Sequence, residues 1–585
     1  MMKRMLLGLL AGMLLLGTGS TLFARVYTAK RYTRRGVAPR RISRADYVPH
    51  ELLVKYKSGT PDFVRKEIDR GASARVLGRF SGDSRLEHIR LPENVNLDAA
   101  LAYYSSRADV EYAQKNFIYR PVTTPNDLLY GGQWALAHMN APTAWDKTTG
   151  RFTVVVALID TGVDYTHPDL ALNIWTNPAE AGVKCTDGVN DDPQNDVDGL
   201  PFVDDCRGWN FWDFNNDPMD LIGHGTEMAG AIGAMGNDAI GIAGANWDIQ
   251  IMPLKVTAPD SSSTTAVFVQ AIDYAIAHGA NLINFSMGAQ TSNFDYAFRD
   301  AIVRTQNAGE LFITGAGNNG LNTDVSPFYP CNFSQASIYD ANPPTNIVCA
   351  AATNESDLQP SFSNYGSAVQ LSAPGTDIVT TMPLSLSVGD PYIVNSGGTS
   401  FSAAFVTGGA ALLKGCNASL TFDAIKDILL TNVTAAGLST STGGIVNYST
   451  ALADSRVGTC DSTATTSTPV ADPGGPYASN NTRKAVFFDA TNSYDTGGNL
   501  LLYYWDFGDG TFGVGPQATH FYPSRGIYTA RLYVRDDQGV VASQTVNVNV
   551  GHYHPHPPHP FFQFLPGDGR SDSNGSRGGG LRYFE

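Results

Sequence analysis

Charge is sparse in this chain. Asp, Glu, Lys and Arg make up only 16% of its 585 residues, which excludes the charge-rich composition of coiled coils and of wholly disordered chains. Basic residues are the scarcer sign, 40 Lys plus Arg against 55 Asp plus Glu, for a net charge of −15. The deficit is uneven: residues 1–121 carry 22 basic and 11 acidic side chains, net +11, so the remaining 464 residues stand near −26. A body this acidic repels a phosphate backbone, so no nucleic-acid partner is expected, whereas solubility outside a cell and divalent-cation binding both fit. Long apolar runs are also missing beyond the first two dozen residues. No later stretch reaches the roughly 18 apolar residues that a membrane-spanning helix needs, so no anchor is expected in the mature chain. Cysteine is limited to six residues, Cys185, Cys206, Cys331, Cys349, Cys416 and Cys460, all in the middle of the chain, which suits an oxidising compartment where disulfides persist. Pairing of nearest neighbours in sequence is the expected one of the fifteen arrangements that six cysteines allow.

What is present divides the chain into seven parts. Residues 1–24 have the form of an export signal, Lys3 and Arg4 before the apolar run Met5 to Leu16 and small residues up to Ala24. A basic arm follows over 25–45, with eight Lys or Arg and almost no apolar pattern. Residues 46–121 alternate strand and helix signals (ELLVKYK, PDFVRKEIDRGA, LEHIRL, LDAALAYYSSR, VEYAQKNFIY) in the order β-α-β-β-α-β of a ferredoxin-like α+β sandwich. From 122 to 460, continuous apolar strands such as TVVVALID, ANLINFSMG, LFITGAGN and NIVCAAAT are separated by helical stretches. That alternation predicts an α/β fold, a parallel sheet covered by helices on both faces. After a Ser/Thr-rich linker (461–468), residues 469–550 carry short alternating strands that predict an immunoglobulin-like β-sandwich without a disulfide. Residues 551–585 form a His/Pro-rich and then Gly-rich tail.

Three motifs carry chemistry: LIDTGVDYTHPDL around Asp160, GHGTEMAG around His224 and GGTSFSAAFVTGGAAL around Ser400. Asp160 closes a buried strand, and the carboxyl edge of a parallel sheet is where such folds bind ligands. His224 and Ser400 each open a helical stretch. A Ser hydroxyl is a weak nucleophile until an imidazole takes its proton, and a carboxylate fixes the imidazole tautomer and stabilises the cation formed. Each residue alone would be an ordinary cap or turn residue; the three together point to nucleophilic catalysis.

These motifs, in the chain order Asp, His, Ser, resemble the subtilisin family of serine endopeptidases. GIAGANWDIQIMPLKV, INFSMG, TGAGNNG, CAAATNESDLQPSFSNYG and VQLSAPGTDIVTT resemble further family segments. The resemblance implies that Asp160, His224 and Ser400 form the triad, that Asn318 donates to the oxyanion, and that Asn284, Phe285, Ser286, Met287 and Gly288 form the substrate-binding strand. Gly288 is expected to leave room for a substrate side chain. The chain departs from the family where Met-Ala-x-Pro-His usually follows the nucleophile, here Phe401 to Phe405, and where the second His of HGTHVAG is Glu227. Neither change removes a proton-transfer group. A rising limb of activity near neutral pH is expected from deprotonation of His224.

The acidic stretch Asp187 to Asp205 resembles a family calcium loop, although Leu200 and Pro201 stand where an Asn and a Gly are usual. Structural calcium is therefore expected, with Asp196, Asp198 and Asp204 as ligands. Residues 46–121 resemble the inhibitory pro-domains of the family, which implies self-processing between Ile118 and Pro125, and 469–550 resemble a PKD-type domain. The expectation is a secreted, monomeric serine endopeptidase acting on proteins or peptides, with its own pro-domain as intramolecular inhibitor. The competing expectation is an inactive subtilisin-fold protein that binds an extracellular polymer.

Overall fold

The computed structural model describes residues 47–117, 123–181, 185, 188–191, 202–387, 390–395, 397–460 and 467–551. The leader, the basic arm, most of the linker, the tail after Gly551, Ile118 to Val122 of the processing segment, Asp196 and Asp198 lie outside the described residues.

The N-terminal unit runs β1 (Tyr47–Tyr56), α1 (Asp62–Gly71), β2 (Arg75–Phe80), β3 (Asp83–Arg90), α2 (Leu97–Ser105), β4 (Val110–Phe117), with strand order β2-β3-β1-β4. Leu52, Val54 and Tyr56 alternate inward along β1 and bury against Ile68, Ile89 and Tyr104. Asn96 starts α2 by accepting a hydrogen bond from the Ala99 amide at 2.9 Å. At the polar centre of this small core the Tyr56 and Tyr104 hydroxyls both donate to Asp69, at 2.7 and 2.9 Å.

The second unit begins with two short helices, α3 (Trp134–His138) and α4 (Ala141–Trp145), ahead of β5 (Gly150–Asp160). There follow β6 (Trp209–Asn210), α5 (His224–Gly233), β7 (Asp248–Lys255), α6 (Thr265–Ala277), β8 (Leu282–Phe285), β9 (Ala289–Gln290), α7 (Tyr296–Ala308), β10 (Leu311–Gly315), β11 (Phe328–Tyr329), β12 (Ile347–Thr353), β13 (Leu371–Pro374), β14 (Ile378–Thr381) and β15 (Tyr392–Asn395). Helix α8 (Thr399–Cys416), α9 (Phe422–Thr431), β16 (Val433–Ala435), β17 (Gly444–Val446) and α10 (Tyr448–Leu452) complete this part.

Nine strands form one sheet in the order β16-β17-β13-β12-β10-β8-β5-β7-β6. Every pairing in it is parallel except β16 with β17. The inner strands are mainly apolar because helices cover both faces, which gives two cores. One packs around α5 and α8, the other around α6 and α7. Helix α8 is buried along almost its whole length, and Gly408 and Gly409 leave room for Ala245, for Tyr448 of α10 and for Leu429 of α9. Disulfides join Cys185 to Cys206, Cys331 to Cys349 and Cys416 to Cys460, the pairing of sequence neighbours.

The C-terminal strands are β18 (Tyr477–Ser479), β19 (Val486–Asp489), β20 (Leu500–Asp506), β21 (Phe512–Val514), β22 (Gln517–His520), β23 (Gly526–Asp536) and β24 (Val541–Val550). A five-stranded sheet, β18-β24-β23-β20-β21, faces the β19–β22 pair across a core centred on Trp505, Phe488 and Phe507. The sandwich is docked on the catalytic part. Leu502 and Tyr504 bury against Ala171 and Leu172. The Arg535 guanidinium lies 3.8 Å from the centroid of the Phe152 ring, donates to Asn173 Oδ1 at 2.8 Å and to the Leu172 carbonyl, and pairs with Asp248. Among the described residues, no helix is long and apolar enough to cross a membrane.

Candidate active site

Asp160 is the last residue of β5, His224 the first of α5 and Ser400 the second of α8, so sheet edge and helix starts bring all three to one crevice. That crevice has a volume of about 430 Å³ and is also lined by Asn318 and by Ser286, Met287 and Gly288. Asp160 is fully buried, and its Oδ1 accepts from His224 Nδ1 and from the Thr161 amide, both at 2.7 Å. This bond puts the Nδ1 proton toward the carboxylate and leaves Nε2 to face the crevice as an acceptor. Burial works against a charged His224 imidazole. The Asp160 carboxylate, with Glu227 and Asp220 close by, outweighs burial and pushes the imidazole up to about 9. That lies well above the neutral range expected from sequence, because three carboxylates surround one ring.

Asp220, which no motif flagged, holds this corner together. Its Oδ1 accepts from the Thr161 hydroxyl (3.0 Å) and the Ile222 and Gly223 amides (2.9 and 2.8 Å), and its Oδ2 from the Thr226 amide and hydroxyl (2.9 and 2.7 Å). The Thr161 hydroxyl in turn accepts from the Gly225 amide at 2.8 Å. The loop entering α5 is thereby tied to the end of β5, which sets the height of His224 over Asp160. The only sequence signal was an acidic residue four positions before the His, too common to read. Glu227 lies one turn along α5 with its carboxylate accepting from Asn395 Nδ2 at 2.7 Å.

Asn318 Oδ1 accepts from the Thr399 amide (2.9 Å) and hydroxyl (3.1 Å). Pinning the carbonyl oxygen turns the amide nitrogen outward, beside the start of α8 where backbone N–H groups already point into the crevice. The Ser400 hydroxyl donates to the Ser286 carbonyl at 3.4 Å, and among the described residues it makes no hydrogen bond to His224. A rotation about its Cα–Cβ bond re-aims the oxygen, and such contacts commonly tighten only when substrate is bound.

The structure divides the expected substrate strand between crevice and core. Only Ser286, Met287 and Gly288 reach the crevice. Asn284 and Phe285 are fully buried, Asn284 hydrogen-bonded to Ser286 and Thr407 and Phe285 packed among Phe268, Phe298 and Phe312, because β8 is an interior strand with both faces covered. Of the expected calcium ligands, Asp204 is described, and its Oδ1 accepts from the Gly188 amide at 3.1 Å. Among the described residues no cluster of three or more His, Cys, Asp or Glu forms a ready metal cage. Elsewhere, however, Asp127 Oδ1 and Asp169 Oδ1 are buried without a hydrogen bond of good geometry, Asp238 lying beside Asp127 and the Tyr392 hydroxyl beside Asp169. Burial first, and then the nearby Asp238 and Asp127, push Asp169 up to about 8. Buried carboxylate oxygens are the donor chemistry of a hard divalent cation.

Residues 152–458 match the family described as "Subtilase family". The chain belongs to the subtilase family. Residues 36–116 of this subtilase match the fervidolysin N-terminal prodomain and 466–550 a PKD domain. It is 31% identical over 374 residues to the thermophilic serine proteinase of Bacillus sp. (strain AK1), covering 63% of this chain and 78% of that one. It is 30% identical over 291 residues to thermitase of Thermoactinomyces vulgaris (50% and 85%) and 27% identical over 428 residues to the extracellular protease of Xanthomonas campestris pv. campestris (67% and 70%). This subtilase is a serine-type peptidase made with a prodomain, which implies protein substrates and an intramolecular inhibitor.

Proposed function

We propose that this subtilase is a secreted endopeptidase, matured by its own activity, that cleaves through an acyl-enzyme on Ser400. The observation that carries the reading is the 2.7 Å bond from His224 Nδ1 to a fully buried Asp160, in the same crevice as Ser400 and an Asn318 amide held outward by Thr399.

The steps follow from that geometry. As Ser400 Oγ bonds to the scissile carbonyl carbon, its proton passes to His224 Nε2, and Asp160 stabilises the imidazolium. The carbonyl oxygen becomes an anion, received by Asn318 Nδ2 and the Ser400 amide. Collapse breaks the C–N bond, the leaving amine takes the proton from Nε2, and a water repeats the sequence to free the acid and restore Ser400. Ser286, Met287 and Gly288 offer backbone groups to an extended substrate.

Cleavage between Ile118 and Pro125 by the same site would release the prodomain. Export is supported by the leader pattern of residues 1–24 and by the extracellular relative named above. Calcium, when bound, would supply a structural cross-link, and the Asp127 and Asp169 carboxylates are the residues that would hold it. The deciding experiment is a fluorophosphonate reagent on the processed protein, which labels Ser400 only if His224 activates it. Absence of label on folded, processed protein refutes the reading; a Ser400→Ala chain trimmed normally at the same bond in a pure sample refutes self-processing.

A further inference from the structure

Two glycines face the crevice on the two segments that flank Ser400, Gly288 after β8 and Gly317 after β10. From sequence Gly288 promises room for a substrate side chain, but the Phe328 ring lies against it. A Cβ built on Gly288 would stand 2.5 Å from Phe328 Cζ and 2.6 Å from Cε1; one on Gly317 would stand 2.6 Å from Cε2 and 2.8 Å from Cδ2. The space the two missing side chains vacate is therefore shared: the Phe328 ring lies against both glycines and forms part of the crevice wall, with the Tyr329 carbonyl oxygen 2.6 Å from the Gly288 Cβ position and Asn364 Nδ2 2.5 Å from that of Gly317.

The ring has little freedom to leave. Phe328 pairs with Gln290 in the β9–β11 ladder, its amide donates to Asn332 Oδ1 at 2.8 Å, and Gln290 Nε2 donates to the Pro327 carbonyl at 3.1 Å. Its side chain is 7% exposed and packs with Ala316 and the Cys331–Cys349 bridge. A peptide laid along Ser286 to Gly288, with its carbonyl carbon at Ser400 and its oxygen on Asn318, directs the side chain of that same residue between the Gly288 and Gly317 segments. We propose that Phe328 sets which residue this peptidase accepts immediately before the scissile bond, admitting small side chains and excluding aromatic ones. The inference rests on the proposed role of Ser400 and deepens it.

The test uses the mature full-length enzyme and peptide substrates that differ only at that residue, Ala, Leu or Phe. Rates are normalised to fluorophosphonate-titrated sites, so each variant reports a ratio of kcat/KM values independent of how much of it folds. The parent should cleave after Ala at least about tenfold better than after Phe, and Phe328→Ala should raise the Phe-to-Ala ratio by about tenfold or more, the scale on which pocket shape discriminates apolar groups. Phe328→Leu should fall between them, and it serves if the Ala variant does not fold. A parent that prefers Phe, or a folded variant whose ratio stays within about twofold of the parent's, overturns the inference. Should neither variant fold, the parent's own preference decides it. Failure of the parent to be labelled at all refutes the Ser400 reading instead, so the two failures are distinct.

Discussion

Replacing Arg535 with Ala removes the polar anchor between the C-terminal sandwich and the peptidase body. The guanidinium is only 3% exposed and serves three acceptors across the interface, Asp248, Asn173 Oδ1 and the Leu172 carbonyl. Breaking a buried charge pair from one side costs about 3–5 kcal/mol, since the remaining partners keep their desolvation without their donor. Asp248 is 34% exposed and can recruit water, so the lower end, about 3 kcal/mol, is the relevant figure. At about 2 °C per kcal/mol for a unit of this size, the melting temperature should fall by about 6 °C. The assay is thermal unfolding of fluorophosphonate-inactivated protein, which prevents self-digestion during the scan. Arg531→Ala is the control, because Arg531 lies four residues earlier on the same strand and is exposed; it should change stability by no more than about 0.5 kcal/mol. If Arg535→Ala melts within about 1 °C of the parent, the sandwich is not docked as described and the reasoning fails.

Other outcomes follow from the site. Because the general base must be neutral and carboxylates push His224 up to about 9, kcat/KM should rise through the alkaline range, and Glu227→Gln should move that limb to lower pH; an unmoved profile would remove Glu227 from the account. The same raised value stabilises the fold fully below the ordinary imidazole range and loses that contribution as pH climbs through about 9. Asn318→Ala should cost on the order of 3 kcal/mol of transition-state stabilisation, the value known for this donor in the family itself, read as a fall in kcat with KM little changed. Asp220→Ala should lower kcat while Ser400 remains labelled slowly, since it positions His224 without touching substrate. A chelator should lower the melting temperature and calcium restore it, and the combined Asp127→Asn and Asp169→Asn variant should lose that response.

Much of the fold was legible because its signals are local. Uninterrupted apolar strands between helical stretches can only be buried on both faces, and the N-terminal alternation of periods gave the order of its six elements. The residues that meet at the crevice were legible because each sits in a short motif at the end of a strand or the start of a helix. What escaped the sequence depends on contacts between distant segments. Asp220 matters through five hydrogen bonds that only the folded loop makes. Phe328 reads as an ordinary core aromatic until the two glycines are seen on either side of it. Asn284 and Phe285 lie in the covered portion of β8, which the strand pattern alone does not separate from the residues at its crevice end. Asp127 and Asp169 are far apart in the chain, and only the fold makes both of them buried carboxylates. Arg535 carries no sequence signal of its own, because its acceptors Asp248, Asn173 and Leu172 lie 287 or more residues away.

The helix that carries Ser400 is also, among the described residues, the most deeply enclosed one, packed against several strands of the main sheet. A serine mounted there has no private hinge: its backbone cannot drift while the scaffold stays intact, and the scaffold cannot loosen without displacing it. Heat inactivation and cooperative melting should therefore coincide, so that residual turnover after a heat pulse directly counts the molecules that never came apart.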